Sequence, residues 1–228
     1  MISSKQITVL LAEDHAIVRQ GLCALLNADG HFQMVGEART GREAVEMARA
    51  LRPDVILMDI AMPVLNGLEA TRQILSADPT AKVLVLSAHS DDEYIERMNA
   101  AGAVGFLEKQ TSAEILTRAI HEVAKGKPFF SPAIAKRMAD GRGRSRNRDG
   151  LPKAGGTKLT SRESEVLQLV AEGQANKQVA SVLNISIKTV EKHRQHLMDK
   201  LNIHDTAGLT RYAISAGVIE NSVQLTIS

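Results

Sequence analysis

Short apolar runs alternate with amphipathic stretches along the first 130 residues. Residues 7–11, 55–58 and 83–86 are apolar blocks, mostly of Val, Ile and Leu, and 32–38 and 105–107 read as two further strands. Blocks this short and this continuous read as strands covered on both faces. Between them, apolar positions recur at helical spacing over 16–27, 41–51, 68–75, 91–100 and 112–124. Strand and helix taking turns five times predicts an α/β fold, a five-stranded parallel, doubly wound sheet. In such sheets reaction sites lie beyond the carboxyl ends of the strands.

The texture changes near residue 131. The stretch Arg142-Gly143-Arg144-Ser145-Arg146-Asn147-Arg148-Asp149-Gly150 and the Gly/Pro-rich residues after it carry no apolar period. Residues 131–156 therefore read as a flexible linker. Its arginines read as a solvated tether, with help in holding nucleic-acid phosphates as the alternative. The resulting division is 1–130, linker 131–156, and 157–228.

The last segment is helical throughout. Thr160, with Glu163 three residues on, has the spacing of a capping box, and Gly173 ends that helix. Asn176 is expected to cap a second helix reaching Leu183. After the turn Asn184-Ile185-Ser186, Ser186 caps a third helix running to about Leu201. A fourth runs from about Asp205 to Ala216 and stops at Gly217. Two short helices joined by a tight turn predict a helix-turn-helix within a small all-α, four-helix domain.

Charge adds to this picture. Residues 1–130 hold 13 Lys and Arg against 17 Asp and Glu, whereas 131–228 hold 15 against 9. A basic second half fits a polyanionic partner. With 44% apolar residues but only 3% aromatics and no Trp, the cores are aliphatic. The single cysteine, Cys23, excludes an intrachain disulfide framework and reads as a buried structural thiol. No signal-peptide pattern opens the sequence, and no run approaches the ~20 apolar residues of a membrane span. A soluble, cytoplasmic protein with no membrane partner is expected.

The predicted strands end on chemistry. Glu13 and Asp14 follow the first, Asp59 the third, Ser87 the fourth and Lys109 the fifth. Three carboxylates at one sheet edge make a hard oxygen site suited to Mg2+ or Mn2+. A carboxylate can also attack phosphorus to form an acyl phosphate. Asp59 ends the central strand and is the expected nucleophile. Glu13 and Asp14 are the expected metal ligands, Lys109 the cation for a phosphoryl oxygen, and Ser87 a hydroxyl donor.

The strings Leu10-Leu11-Ala12-Glu13-Asp14-His15, Val55-Ile56-Leu57-Met58-Asp59-Ile60-Ala61-Met62-Pro63-x3-Gly67, Leu86-Ser87-Ala88 and Gly105-Phe106-Leu107-x-Lys109 resemble the receiver domain of two-component response regulators. The resemblance covers roughly residues 5–127. It implies phosphorylation of Asp59 by a histidine kinase, the Ala61 carbonyl as a further metal ligand, and Ser87 with Phe106 as a switch pair. Phe106 lacks the hydroxyl of the commoner tyrosine. Gln110 stands where many receivers have proline, so a cis bond is not expected there.

In the second half, Leu159-Thr160-x-Arg162-Glu163-x-Glu165-Val166-Leu167, Asn176-Lys177-x-Val179-Ala180, Ser186-x-Lys188-Thr189-Val190-Glu191-x-His193 and Lys200-Leu201 resemble the LuxR-type DNA-binding domain. Together the halves are similar to response regulators of the NarL/FixJ class. That likeness implies double-stranded DNA as partner and a homodimer in the active form. Lys188, Thr189, Lys192 and His193 are then expected at phosphates, and Glu191, Lys192 and Gln195 near base edges. The last helix, with Leu209, Tyr212 and Ala213, is a candidate dimer contact, though packing within the domain explains the same pattern.

The expected protein is a switch and not a turnover enzyme, although the receiver itself assists in gaining and losing its phosphoryl group. Two alternatives stay open. A haloacid-dehalogenase-type phosphatase would also use Asp59, but it needs a second Asp where Ala61 stands. A transcription factor with a receiver-like interaction module would never be phosphorylated.

Overall fold

Five runs become strands, four of them largely buried and the one at residues 32–38 at the sheet edge with Gln33 and Glu37 exposed. They are β1 (Ile7–Ala12), β2 (Phe32–Ala38), β3 (Val55–Asp59), β4 (Val83–Ser87) and β5 (Gly105–Glu108). Between them run the helices α1 (Ala16–Asp29), α2 (Gly41–Leu51), α3 (Gly67–Ala77) and α4 (Ala113–Ala124). The structure, a computed structural model, describes residues 6–88, 97–131, 134 and 159–219. These fall into two compact units, one within Met1–Gly150 and the other within Leu151–Ser228. Of the helix expected over 91–100, residues 97–100 are helical and the rest lie outside the described residues. The expected linker lies outside them too, apart from Ser131 and Ile134.

The sheet is parallel throughout, in the order β2-β1-β3-β4-β5-β6. The sixth strand, β6 (Phe129–Phe130), was not expected. Gly126, at φ +78, turns the chain back after α4. The Phe129 N–H then donates to the Val104 carbonyl at 3.2 Å, and Ser131 N–H to that of Phe106 at 3.4 Å. Two residues are too few to show a period, which is why the pattern missed them.

Alternate positions of each strand feed two cores. Leu10, Ile56, Met58, Val85 and Phe106 face α2 and α3. Val9, Leu11, Leu57, Leu84 and Leu107 face Leu26 of α1 and Leu116, Ile120 and Val123 of α4. The single cysteine is less enclosed than expected. Cys23 is half-buried, and burial together with the neighbouring Glu37 carboxylate pushes its thiol pKa up.

The second unit is α5 (Ser161–Ala171), α6 (Asn176–Leu183), α7 (Ile187–Leu201) and α8 (Thr206–Ser215). The capping box forms: Thr160 Oγ1 accepts from Glu163 N–H at 3.3 Å, and Glu163 Oε2 accepts from Thr160 N–H at 2.9 Å. The same Glu163 oxygen takes an ion pair from Lys200 Nζ at 2.6 Å. Burial alone would raise the Glu163 carboxyl, but the bonds from Lys200 and Thr160 hold it below its ordinary range. Asn176 is not the cap. It is the first helical residue, and its Oδ1 accepts from Arg194 Nη1 at 2.7 Å. Ala175 takes the cap position, its N–H covered by Gln178 Oε1 at 2.8 Å. Asn184, at φ 51, closes α6 in the left-handed conformation that Asn tolerates. Among the described residues no helix is long and apolar enough to cross a membrane.

Gly67 opens α3 against the backbone of Asp59, where an added Cβ would stand 1.9 Å from the Asp59 carbonyl oxygen. Gly21, in the middle of α1, has nothing within 4 Å of its would-be Cβ. Gly67→Ala is therefore expected to destabilise the first unit by about 2 kcal/mol or more. Gly21→Ala is expected to stabilise it by about 0.5–1 kcal/mol. Urea unfolding midpoints of the two variants check the contrast, and equal shifts would contradict it.

Candidate acidic site and nucleic-acid interface

The chain runs from β1 out to β2 and returns to β3 on the other side of β1, so the sheet order reverses between β1 and β3. Loops leaving a parallel sheet at such a point diverge and leave a crevice. Glu13 and Asp14 stand on one side of it and Asp59 on the other. Glu13 is fully buried, Asp59 is 2% exposed, and Asp14 is partly exposed. Lys109 spans the gap. Its Nζ lies 2.8 Å from Glu13 Oε2 and 3.0 Å from Asp59 Oδ2.

Four predicted residues therefore meet. Ser87 ends β4 one position beyond Leu86, the register partner of Asp59, and is 2% exposed. The Ser87 carbonyl accepts the Lys109 N–H at 2.8 Å, which ties the lysine loop to β4. Phe106 lies opposite Val85 and is buried in the core, with its ring turned inward. Ala61 sits two residues beyond Asp59 in a loop pinned by Gly67 N–H to the Ile60 carbonyl at 2.8 Å and by Gly41 N–H to the Leu65 carbonyl at 3.0 Å. That loop also places Val64 at φ 71, a strained conformation for a β-branched residue. No cis peptide occurs among the described residues.

Two contributors escaped the sequence reading. Arg19, 7% exposed, donates from Nη1 to the carbonyls of Glu13 at 2.8 Å and Asp14 at 3.1 Å. Its Nε pairs with Glu37 at 3.3 Å, so it clamps the acidic loop to the end of β2. A charged residue on the inner side of an apolar helix was the available signal. His15 places Nδ1 2.9 Å from Asp14 Oδ1 and 3.2 Å from Glu13 Oε1. Its position beside the acid pair was the only hint.

Burial, and then the charge of Glu13, push the Asp59 carboxyl up to about 6, and Lys109 offsets only part of this. Burial would lower the Lys109 ammonium, but the charges of Asp59 and Glu13 outweigh it and hold the lysine above its ordinary value. Glu13 Oε2, Asp14 Oδ1 and Asp59 Oδ2 are buried without a well-oriented hydrogen bond, although the Lys109 ammonium and the His15 ring stand near them. Glu13, Asp14, His15 and Asp59 offer ligand atoms all within 4.8 Å of one another. Buried, under-satisfied oxygens of this density fit a divalent cation.

In the second unit, α6 and α7 form the two arms of a helix-turn-helix. Val190 and Leu197 are buried, while Lys188, Glu191, Lys192 and Gln195 are exposed on the opposite side of α7. Thr189 and His193 are partly buried. Thr189 also serves the helix start, its N–H and Oγ1 both meeting Ser186 Oγ. The Gln195 amide donates to Asp199 Oδ1 at 2.8 Å. Leu209 and Ala213 are fully buried within the unit, so packing accounts for both, and of that trio only Tyr212 is partly exposed.

Comparison with known proteins agrees with this geometry. Residues 9–121 match the response regulator receiver domain, and residues 157–213 match the bacterial regulatory proteins of the luxR family. The transcriptional regulatory protein DegU of Brevibacillus brevis is 34% identical over 96% of this chain and 98% of its own length. The response regulator VraR of Staphylococcus aureus is 36% identical over 94% of this chain and 99% of its own. Among solved structures, a LuxR-family two-component response regulator from Aurantimonas has a TM-score of 0.58 at 32% identity, covering 60% of this chain and 99% of that one. The response regulator RcsB in complex with DNA has a TM-score of 0.56 at 25% identity, covering 92% of this chain and 99% of that one.

A carboxyl raised from 3.8 to about 6 destabilises the fold once it must ionise. Below the lower value both folded and unfolded chains hold the proton and nothing is lost. As pH climbs through the higher value, the folded chain must charge a buried group. In chelator, Asp59→Asn is thus expected to be more stable than wild type at pH 7 by on the order of 2 kcal/mol, with the gap closing toward pH 4. Thermal unfolding of both proteins across this range checks it, and a constant gap would remove the explanation.

Proposed function

This chain belongs to the two-component response regulators that join a receiver domain to a LuxR-type DNA-binding domain, and from that premise we propose how it switches. A histidine kinase phosphorylates Asp59, and the phosphorylated chain, as a homodimer, regulates transcription at paired DNA half-sites. The work is done in the cytoplasm. The receiver is residues 1–130, the linker 131–156 and the DNA-binding domain 157–228.

The observation that carries this reading is the Lys109 ammonium within 3.0 Å of both Glu13 and Asp59, in a buried pocket of under-satisfied carboxylate oxygens. An Asp59 oxygen attacks the phosphorus of a phosphohistidine. The P–N bond breaks, an acyl phosphate forms, and the imidazole leaves with its electron pair and takes a proton. Lys109 turns from the Asp59 carboxylate to an oxygen of the arriving phosphoryl group. Ser87, at the next strand end, donates its hydroxyl to another. A bound Mg2+ or Mn2+, held by Glu13, Asp14, Asp59 and the Ala61 carbonyl, supplies charge neutralisation. The protein's own part is therefore positioning and charge compensation, without turnover of a separate substrate.

Movement of Ser87 toward the phosphoryl group is the local change, and the Phe106 ring reports it from the adjacent strand. With no hydroxyl, Phe106 gains only packing from its inward position. The resulting shift in population is passed to the DNA-binding domain. There Lys188, Thr189, Lys192 and His193 meet phosphates, and Glu191, Lys192 and Gln195 approach base edges in the major groove. A symmetric dimer reads half-sites about one helical turn apart.

Incubation with Mg2+ and acetyl phosphate is expected to add one phosphoryl group to the intact chain, read by mass, and Asp59→Asn is expected to abolish the gain. A chain that stays unmodified while still binding DNA would favour the phosphorylation-independent interaction module instead. Lys192→Ala is expected to weaken DNA binding and to reduce the slope of log K against log salt by about 1. An unchanged slope would take Lys192 off the phosphate backbone.

A further inference from the structure

A second cluster of ligating side chains lies at the opposite edge of the sheet. Asp29 ends α1, His31 immediately precedes β2, and His121 comes from the last turn of α4. Glu13 and Asp59 mark the carboxyl ends of the strands, whereas these three gather at the amino ends. One ligand atom from each lies within 4.8 Å of the others.

The fold holds each of them in place. Gly30, at φ 73, reverses the chain so that Asp29 and His31 come to the same side. His31 Nδ1 then lies 2.6 Å from Asp29 Oδ1. The His31 carbonyl accepts the Ile7 N–H at 2.9 Å, which pins its backbone to β1. The His121 ring packs against buried Phe32, with centroids 5.0 Å apart, and meets the His31 ring edge-on at 5.8 Å. Among the described residues no side chain hydrogen-bonds to the His121 ring nitrogens, and no Lys or Arg pairs with Asp29.

We propose that Asp29, His31 and His121 bind a borderline-soft divalent transition metal ion of the Zn2+ class. Two imidazoles and one carboxylate suit such an ion, whereas Mg2+ favours an all-oxygen shell. Three protein ligands leave a fourth position of the tetrahedron for water. The ion replaces the His31–Asp29 hydrogen bond and cross-links the end of α1 to α4 over the core that those helices share. The site is independent of phosphoryl chemistry at Asp59.

The test uses the untagged full-length chain in millimolar Mg2+, titrated with Zn2+ against a chromophoric chelator and, in parallel, with Co2+. One equivalent of Zn2+ is expected to bind with micromolar or better affinity and to raise the thermal midpoint. Co2+ is expected to show the intense visible bands of a four-coordinate site. His31→Gln and His121→Gln are each expected to weaken Zn2+ by about tenfold or more and to remove the Co2+ bands, while circular dichroism shows both variants folded. No micromolar Zn2+ binding would overturn the proposal. So would tight binding that survives both substitutions, because the ion would then sit among Glu13, Asp14, His15 and Asp59.

Discussion

Buried carboxylates that converge repel one another, and the first unit is organised around containing that repulsion. Glu13 and Asp59 are almost without exposure, and one ammonium, Lys109, stands between them. A single cation cannot balance three acids. Burial first, and the uncompensated charge of Glu13 after it, raise the Asp59 carboxyl, and oxygens are left with no good donor. The site is thus held short of positive charge, which is the condition under which a cation is attracted.

A parallel sheet makes such convergence possible. All its strands point one way, so residues far apart in sequence end at one edge. Register then sorts them. Asp59 continues the odd-numbered positions of β3 that face α1 and α4, while Met58 and Phe106 face α2 and α3. The acid and the ring thus report to different cores of the same sheet. Small residues allow the fit: with any side chain at Gly67 or Gly41, the loop that carries Ala61 could not close on Asp59 and Leu65.

What the sequence revealed follows from how each feature is encoded. The strands were legible where burial on both faces leaves continuous apolar runs, as in β1, β3 and β4, and the acids were legible because each follows such a run. β6 was not, since two residues at an edge carry no period. Asn176 has the composition of a cap, but its side chain is taken by Arg194, a contact between helices that local spacing does not record. Arg19 and His15 were visible as residues without their partners being visible. The pairing of His31 with His121 joins segments some 90 positions apart in the sequence, which no local pattern could announce. On α7 the exposed face was legible from helical period alone, whereas the existing engagements of Thr189 and Gln195 were not.

The shared carboxylate of Glu163 has a consequence for how the second unit comes apart. One oxygen both completes the first turn of α5 and anchors the last turn of α7 through Lys200. Fraying at the start of the domain therefore loosens the far end of α7, and drift of that helix uncaps the start. The two ends share one fate, so this small bundle should melt as a single cooperative block.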